Sequence, residues 1–143
     1  MSSFIVRAFR DSDTDSLIAL WQACGLVVPQ NDPRKDILRK MKVNPEWLLV
    51  GERDGKLMGS CMTGYEGHRG WINYLAVHPD HRRQGFASEL MKKAEEILRE
   101  AGCPKINLQI RSSNATVIAF YESIGFTEDK VVSFGKRLKK DEH

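Results

Sequence analysis

One short run carries the densest chemical signal in the chain, Arg82-Arg83-Gln84-Gly85-Phe86-Ala87. Two guanidinium groups and a glycine stand between an apolar stretch ending at Val77 and an amphipathic pattern that begins at once. A strand, a basic glycine loop and a helix start, in that order, bring several backbone N–H groups and the positive end of a helix dipole to one point. Such a point binds phosphate. Neither the P-loop pattern G-x-x-x-x-G-K-[ST] nor the dinucleotide fingerprint G-x-G-x-x-G is present. The pattern that is present reads [QR]-x-x-G-x-[GA].

Other side chains could do proton chemistry. Tyr121 lies on a helical apolar stripe with Val117, Ile118 and Ile124, so it is either a core tyrosine or a proton donor. Glu66 and His68 sit in a polar, glycine-punctuated stretch and are the only acid or base candidates just upstream of the strand. His78 and His81 are close enough for a turn-borne ligand pair, but no third ligand accompanies them. Cys24, Cys61 and Cys103 form no C-x-x-C or Cys/His spacing, so no metal is expected and the thiols read as reduced, with Cys61 and Cys103 as small buried hydrophobes.

The elements that must hold these residues follow from periodicity and punctuation. Residues 4–10 alternate and form a first strand, and the acidic N-cap-rich run 11–15 starts a helix whose face is Leu17, Ile18, Leu20, Trp21 and Cys24. Pro33 opens a second helix, which Asn44-Pro45 stops. Asp54-Gly55 between two apolar runs is a hairpin signal. Residues 71–77 make the buried strand before the loop, and Ala87, Leu90, Met91, Ala94, Ile97 and Leu98 line the helix after it, up to Gly102. Residues 106–110 alternate as a further strand, Asn114 caps a last short helix, and Phe126 with 131–134 closes the chain as one or two strands. The order predicts an α/β (α+β) domain spanning residues 1–143, with a mixed, mostly antiparallel sheet of six or seven strands and about four helices.

With its strand and helix context, the loop resembles the acyl-coenzyme A site of the GNAT (general control non-repressed N-acetyltransferase) superfamily. Asn114-x(6)-Tyr121-x(3)-Gly125-Phe126 resembles that family's second signature, N-x(6)-Y-x(3)-G-F. G-Y-x-G-H-R-G at 64–70 and G-C-P-K-I at 102–106 look most like the YpeA-type acetyltransferases. The resemblance implies a fourth strand splayed from the fifth, with the pantetheine arm of the cosubstrate acetyl-CoA in the gap. Backbone groups of Leu75, Ala76 and Val77 would bond the arm, and amides of Arg82, Arg83, Gln84, Gly85, Phe86, Ala87 and Ser88 would hold the pyrophosphate. Asn114 would face the cofactor from the other side, and Tyr121 would be the general acid that protonates the departing thiolate. The implied reaction is acetyl transfer to a primary amine of a small molecule or a protein.

The base departs from the family pattern. Histone-type members carry a glutamate early on the fourth strand, where this chain has Trp71. Glu66 is the substitute favoured on chemistry, with His68 behind it. The missing strand glutamate also motivates an alternative of a different class, an acyl-CoA-binding module that senses its ligand without turnover.

Composition sets outer limits. In 143 residues, 22 basic and 19 acidic side chains leave a net charge of +3, too little to imply a nucleic-acid partner. The sequence shows no run of 18 or more apolar residues and no apolar leader, so neither membrane insertion nor export is expected, and a cytoplasmic location is. The apolar residues at 131–134 are where two copies could pair as a homodimer.

Overall fold

In the computed structural model, which describes residues 3–142, the apolar runs pair into one five-stranded sheet in sequence order, β1-β2-β3-β4-β5. These strands are β1 (Ile5–Ala8), β2 (Leu48–Arg53), β3 (Lys56–Tyr65), β4 (Gly70–Val77) and β5 (Ile106–Leu108). Asp54 and Gly55 both take positive φ, the conformation that a two-residue type I′ hairpin requires, so β2 and β3 turn there as anticipated. The first four strands are antiparallel neighbours, and β4 and β5 run parallel.

Four α-helices cover the faces: α1 (Thr14–Ala23), α2 (Pro33–Lys40), α3 (Phe86–Glu100) and α4 (Ala115–Ser123). Asp32 caps α2 by accepting from the Arg34 amide at 2.9 Å, with Pro33 in its first turn. Lys40, at the other end of α2, buries its side chain and donates from Nζ to the Thr63 carbonyl at 2.6 Å, which ties the helix to β3. Burial lowers the proton affinity of that amine.

The sheet separates two apolar layers. On one side Leu49, Met58, Ile72 and Val77 pack against Phe86, Leu90, Met91, Ala94 and Tyr121. On the other Leu48, Val50 and Ala76 pack against Leu17, Leu20, Trp21 and Ile37. The hydrophobic spacing of α3 is thus spent on the first layer, and that of α1 on the second.

The strand count is five where six or seven were anticipated. β5 stops at Leu108, and the segment that includes Val131, Val132 and Phe134 forms no strand, with those side chains 77%, 81% and 92% exposed. Residues 129–133 bond to the residues flanking β5 through side chains, Lys105 to Asp129 at 2.9 Å and Gln109 to Ser133. β-propensity supplies no ladder where no backbone comes into range.

Candidate acyl-transfer site

β4 changes character midway. Gly70, Trp71 and Ile72 pair with Ile106, Asn107 and Leu108 of β5, and that pairing ends there. Its antiparallel partner β3 continues alongside, but the register slips between Ser60 and Met62. Tyr74 and Leu75 together oppose Cys61, which is a β-bulge, and Tyr74 sits at φ +52. The extra residue inverts the alternation: Ile72 and Leu75, three apart, share the α3 layer, while Tyr74 and Ala76 face α1. β4 therefore splays from β5, as the resemblance implied, and the bulge marks the start of the gap.

The hydrogen-bond phase decides which groups face the gap. The His78 amide donates to the Met58 carbonyl at 2.8 Å. Antiparallel pairs alternate, so with Ser60 opposite Ala76 the Ala76 amide and carbonyl point at β3, and those of Leu75 and Val77 point outward. Of the anticipated trio Leu75, Ala76 and Val77, the outer two have backbone groups on the free edge. Ala76 does not, because its ladder bonds are spent on β3. The Val77 carbonyl already accepts from Arg82 Nε at 3.2 Å and Cys24 Sγ at 3.4 Å, whereas no side chain among the described residues bonds the Leu75 backbone.

The loop delivers the chain from this edge to α3. His78 accepts the Asp80 amide on Nδ1 at 3.1 Å, so this histidine is used in the turn. Positive φ at both Arg83 and Gly85 folds the loop amides into a concave turn of the kind that binds anions. Gly85 is the residue before α3, and no side chain caps the helix, which leaves the first-turn amides of Phe86, Ala87 and Ser88 open. A Cβ on Gly85 would meet no protein atom within 4 Å. Within the protein its requirement is the positive φ, not crowding. The Phe86 ring is buried and stacks on Phe4 at 4.1 Å, so only its amide is available, and the helix start is anchored. Gln84 accepts from Arg53 at 3.2 Å, which brings a third guanidinium to the loop. Arg53 comes from the β2–β3 hairpin, far upstream, and nothing local in the sequence linked it to this site.

At the start of α4, Asn114 accepts the Val117 amide at 3.2 Å and so caps the helix, as anticipated. That helix carries Tyr121 into the α3 layer, where Phe120 and Phe126 meet its ring edge-on at 5.1 and 5.4 Å. Its hydroxyl bonds to no group among the described residues. Burial, then the nearby Cys61, raises the proton affinity of the phenol well above the ordinary value. Cys61, fully buried beside it, is pushed up to about 12 by the same desolvation.

Glu66 lies elsewhere. Its carboxylate accepts the His68 and Arg69 amides in the exposed turn after β3, and those bonds, Arg69 first, hold its proton affinity below the usual carboxylate range. A carboxylate so engaged is a poor base, and it sits beyond the paired half of β4, roughly 16 Å of strand from Leu75. The turn geometry that recruits Glu66 could not be read from its neighbours' identities. Trp71 is 37% exposed, opposite Gly64 and Asn107. A cavity of about 1210 Å³ opens between β5, α4 and residues 127–134. It borders Trp71, Asn107 and Tyr121 but touches neither the loop nor the free edge of β4.

A parallel pair that ends midway along β4 thus leads into an uncapped helix start. The sequence model of the Acetyltransferase (GNAT) family matches residues 7–126, and the chain belongs to that family. It is 46% identical over 138 residues to the acetyltransferase SG1711 of Sodalis glossinidius, with 96% of this chain and 97% of that one covered. Its fold is similar to aminoglycoside N-acetyltransferase AAC(6')-Iy in complex with a bisubstrate analogue, CoA-S-monomethyl-acetylneamine (TM-score 0.80, 17% identity, 95% of this chain and 99% of that one). It is also similar to the ribosomal-protein-S18-alanine N-acetyltransferase of Escherichia coli (TM-score 0.74, 23% identity, 90% and 80% covered). The chain is an acyltransferase that carries out acetyl transfer. Among the described residues, no helix is long and apolar enough to cross a membrane.

Proposed function

We propose that this chain transfers the acetyl group of acetyl-CoA directly to a primary amine of a small molecule or a protein. The observation that carries the reading is the free edge of β4 at Leu75 and Val77 leading into the open amides before α3. The open amides of Phe86, Ala87 and Ser88, within the loop of Arg82, Arg83, Gln84 and Gly85, suit the pyrophosphate, and Arg53 adds a cation beside them. The outward groups of Leu75 and Val77 suit the amides of the pantetheine arm, and Asn114 lies across the gap. Residues 1–143 act as one domain in the cytoplasm, where its three free cysteines would stay reduced.

The chemistry follows the charge. As the amine nitrogen bonds the thioester carbonyl carbon, negative charge grows on oxygen, and the Leu75 amide is the donor that meets it. When the C–S bond breaks, the electron pair leaves on sulfur, and Tyr121 gives its hydroxyl proton to that thiolate. The nitrogen loses its surplus proton to solvent, which also reprotonates the tyrosinate. Burial makes the phenol a weaker acid than usual, yet a thiolate released in the same apolar layer is a stronger base, as the behaviour of Cys61 illustrates. The two proton affinities rise together, so the transfer stays matched.

We assign no base to Glu66. A non-catalytic acyl-CoA sensor is favoured by its engagement and by the tryptophan at position 71. Thiol release from acetyl-CoA across a panel of amines and peptides separates the two readings. Turnover with at least one acceptor is expected, and tight cofactor binding with no turnover at all would establish the sensor.

A further inference from the structure

The bulge at Tyr74 is held from three directions. Its carbonyl accepts the Ser60 hydroxyl at 2.7 Å, and the same Ser60 oxygen accepts from Trp21 Nε1 at 3.0 Å. The Tyr74 ring stacks on the Trp21 indole at 3.8 Å and 14°. Its hydroxyl donates to Asp36 at 2.6 Å, and Asp36 in turn accepts from Arg39. Ser60 and Trp21 are completely buried. A tyrosine at positive φ is strained and persists only where its surroundings over-determine it. Here β3 holds its carbonyl, α1 its ring and α2 its hydroxyl.

A side chain on a neighbouring strand rarely needs to bond a backbone carbonyl, since the ladder does so. At the bulge the ladder is interrupted, and Ser60 supplies the missing donor. The indole behind it has a single N–H, which occupies one Ser60 lone pair and aims the hydroxyl proton at Tyr74. The peptide plane fixed in this way is the one between Tyr74 and Leu75, and it carries both the Tyr74 carbonyl and the Leu75 N–H.

We infer that Ser60, oriented by Trp21, is a positioning residue for acyl transfer: by holding the Tyr74 carbonyl it aims the Leu75 N–H at the thioester oxygen. This rests on the reading of the free β4 edge as the acetyl-CoA site. Ser60 touches neither ligand nor acceptor, so its removal should act on the reaction far more than on cofactor affinity.

The test uses the full chain, Ser60→Ala, acetyl-CoA labelled with ¹³C at the carbonyl, and an amine acceptor that the unaltered protein turns over. The bound thioester band of the unaltered protein should lie below its position in water, and Ser60→Ala should move it back upward. kcat should fall roughly 10- to 100-fold, short of the full loss of an oxyanion donor, about 10²- to 10³-fold. Coenzyme A affinity by titration calorimetry should stay within about twofold. A folded Ser60→Ala protein with an unchanged band and unchanged kcat overturns the inference, because a purely structural serine would alter only the melting temperature. If Ser60→Ala does not fold, Trp21→Phe, which keeps the ring stack and removes the N–H, should show the same split at smaller amplitude. Unaltered protein that fails to bind acetyl-CoA would instead sink the reading of the site itself, and the inference with it.

Discussion

The two halves of β4 obey different rules. Gly70, Trp71 and Ile72 have a strand on each side, and their backbone groups are consumed by the sheet. Leu75 and Val77 have β3 alone, and their backbone amides and carbonyls turn away from it toward a gap. Both halves come from one continuous apolar run of the kind that reads as a uniformly buried strand. What divides them is one extra residue, Tyr74. Open backbone on an edge strand is ordinarily a liability, and here it lies between packed elements rather than on the outer face. A ligand that completes a sheet needs such an edge, and a bulge makes one without ending the strand.

The comparison can be broken most severely at Tyr121, which faces the open half. Tyr121→Phe keeps the ring and its packing and removes the proton, so kcat should fall by roughly 10²- to 10⁴-fold with coenzyme A affinity nearly intact. A fully active variant would return Tyr121 to the core. In the paired half, Ile72→Ala should cost about 2–5 kcal/mol of stability by leaving a cavity under α3 while sparing the chemistry, as denaturant unfolding beside turnover would show. Comparable damage to kcat there would mean that the halves are not functionally distinct.

Smaller effects sharpen the contrast. Gly85→Val puts a cost on the order of 1–2 kcal/mol on the positive φ of the loop; the free loop relaxes away from it and binding must restore it, so coenzyme A should bind roughly 5- to 30-fold more weakly by calorimetry. Glu66→Gln, beyond the paired end, should leave kcat within about twofold. Because two amides depress its proton affinity, Glu66 is ionised throughout the neutral range and loses its charge only below the usual carboxylate range. Any rise of kcat/KM with pH near neutrality should therefore survive in Glu66→Gln. Burial works the opposite way on Tyr121, raising its proton affinity, so the unaltered enzyme should hold its acid form through pH ~10 and show no alkaline fall before then. A decline near pH 8 that Tyr121→Phe abolishes would contradict this.

Much of the fold could be read in advance because its signals are local. Asp54-Gly55, Pro33 after Asp32, Asn114 and the stripe of α3 each state their conformation within a few residues. The loop and Tyr121 stood out for the same reason, as types at fixed spacing beside recognisable elements. The closing strands failed as an expectation because 131–134 have the composition of a strand but meet no backbone. The engagement of Glu66 was not legible because its two amide partners depend on how one turn closes.

The sequence by itself determined that an apolar strand ends in a basic, glycine-bearing loop before a helix, and that a tyrosine follows on a later one. Those facts raise the expectation of a phosphate-bearing ligand and of a tyrosine proton donor, since amides at an uncapped helix start suit phosphate. Only the tertiary structure decided where β4 stops being an ordinary strand. Positive φ at Tyr74 is unfavourable in any short peptide, and it holds because Ser60, Trp21 and Asp36, from three separate elements, close on that one residue. Through that closure the free edge begins at Leu75, and the Ala76 backbone turns back to the sheet.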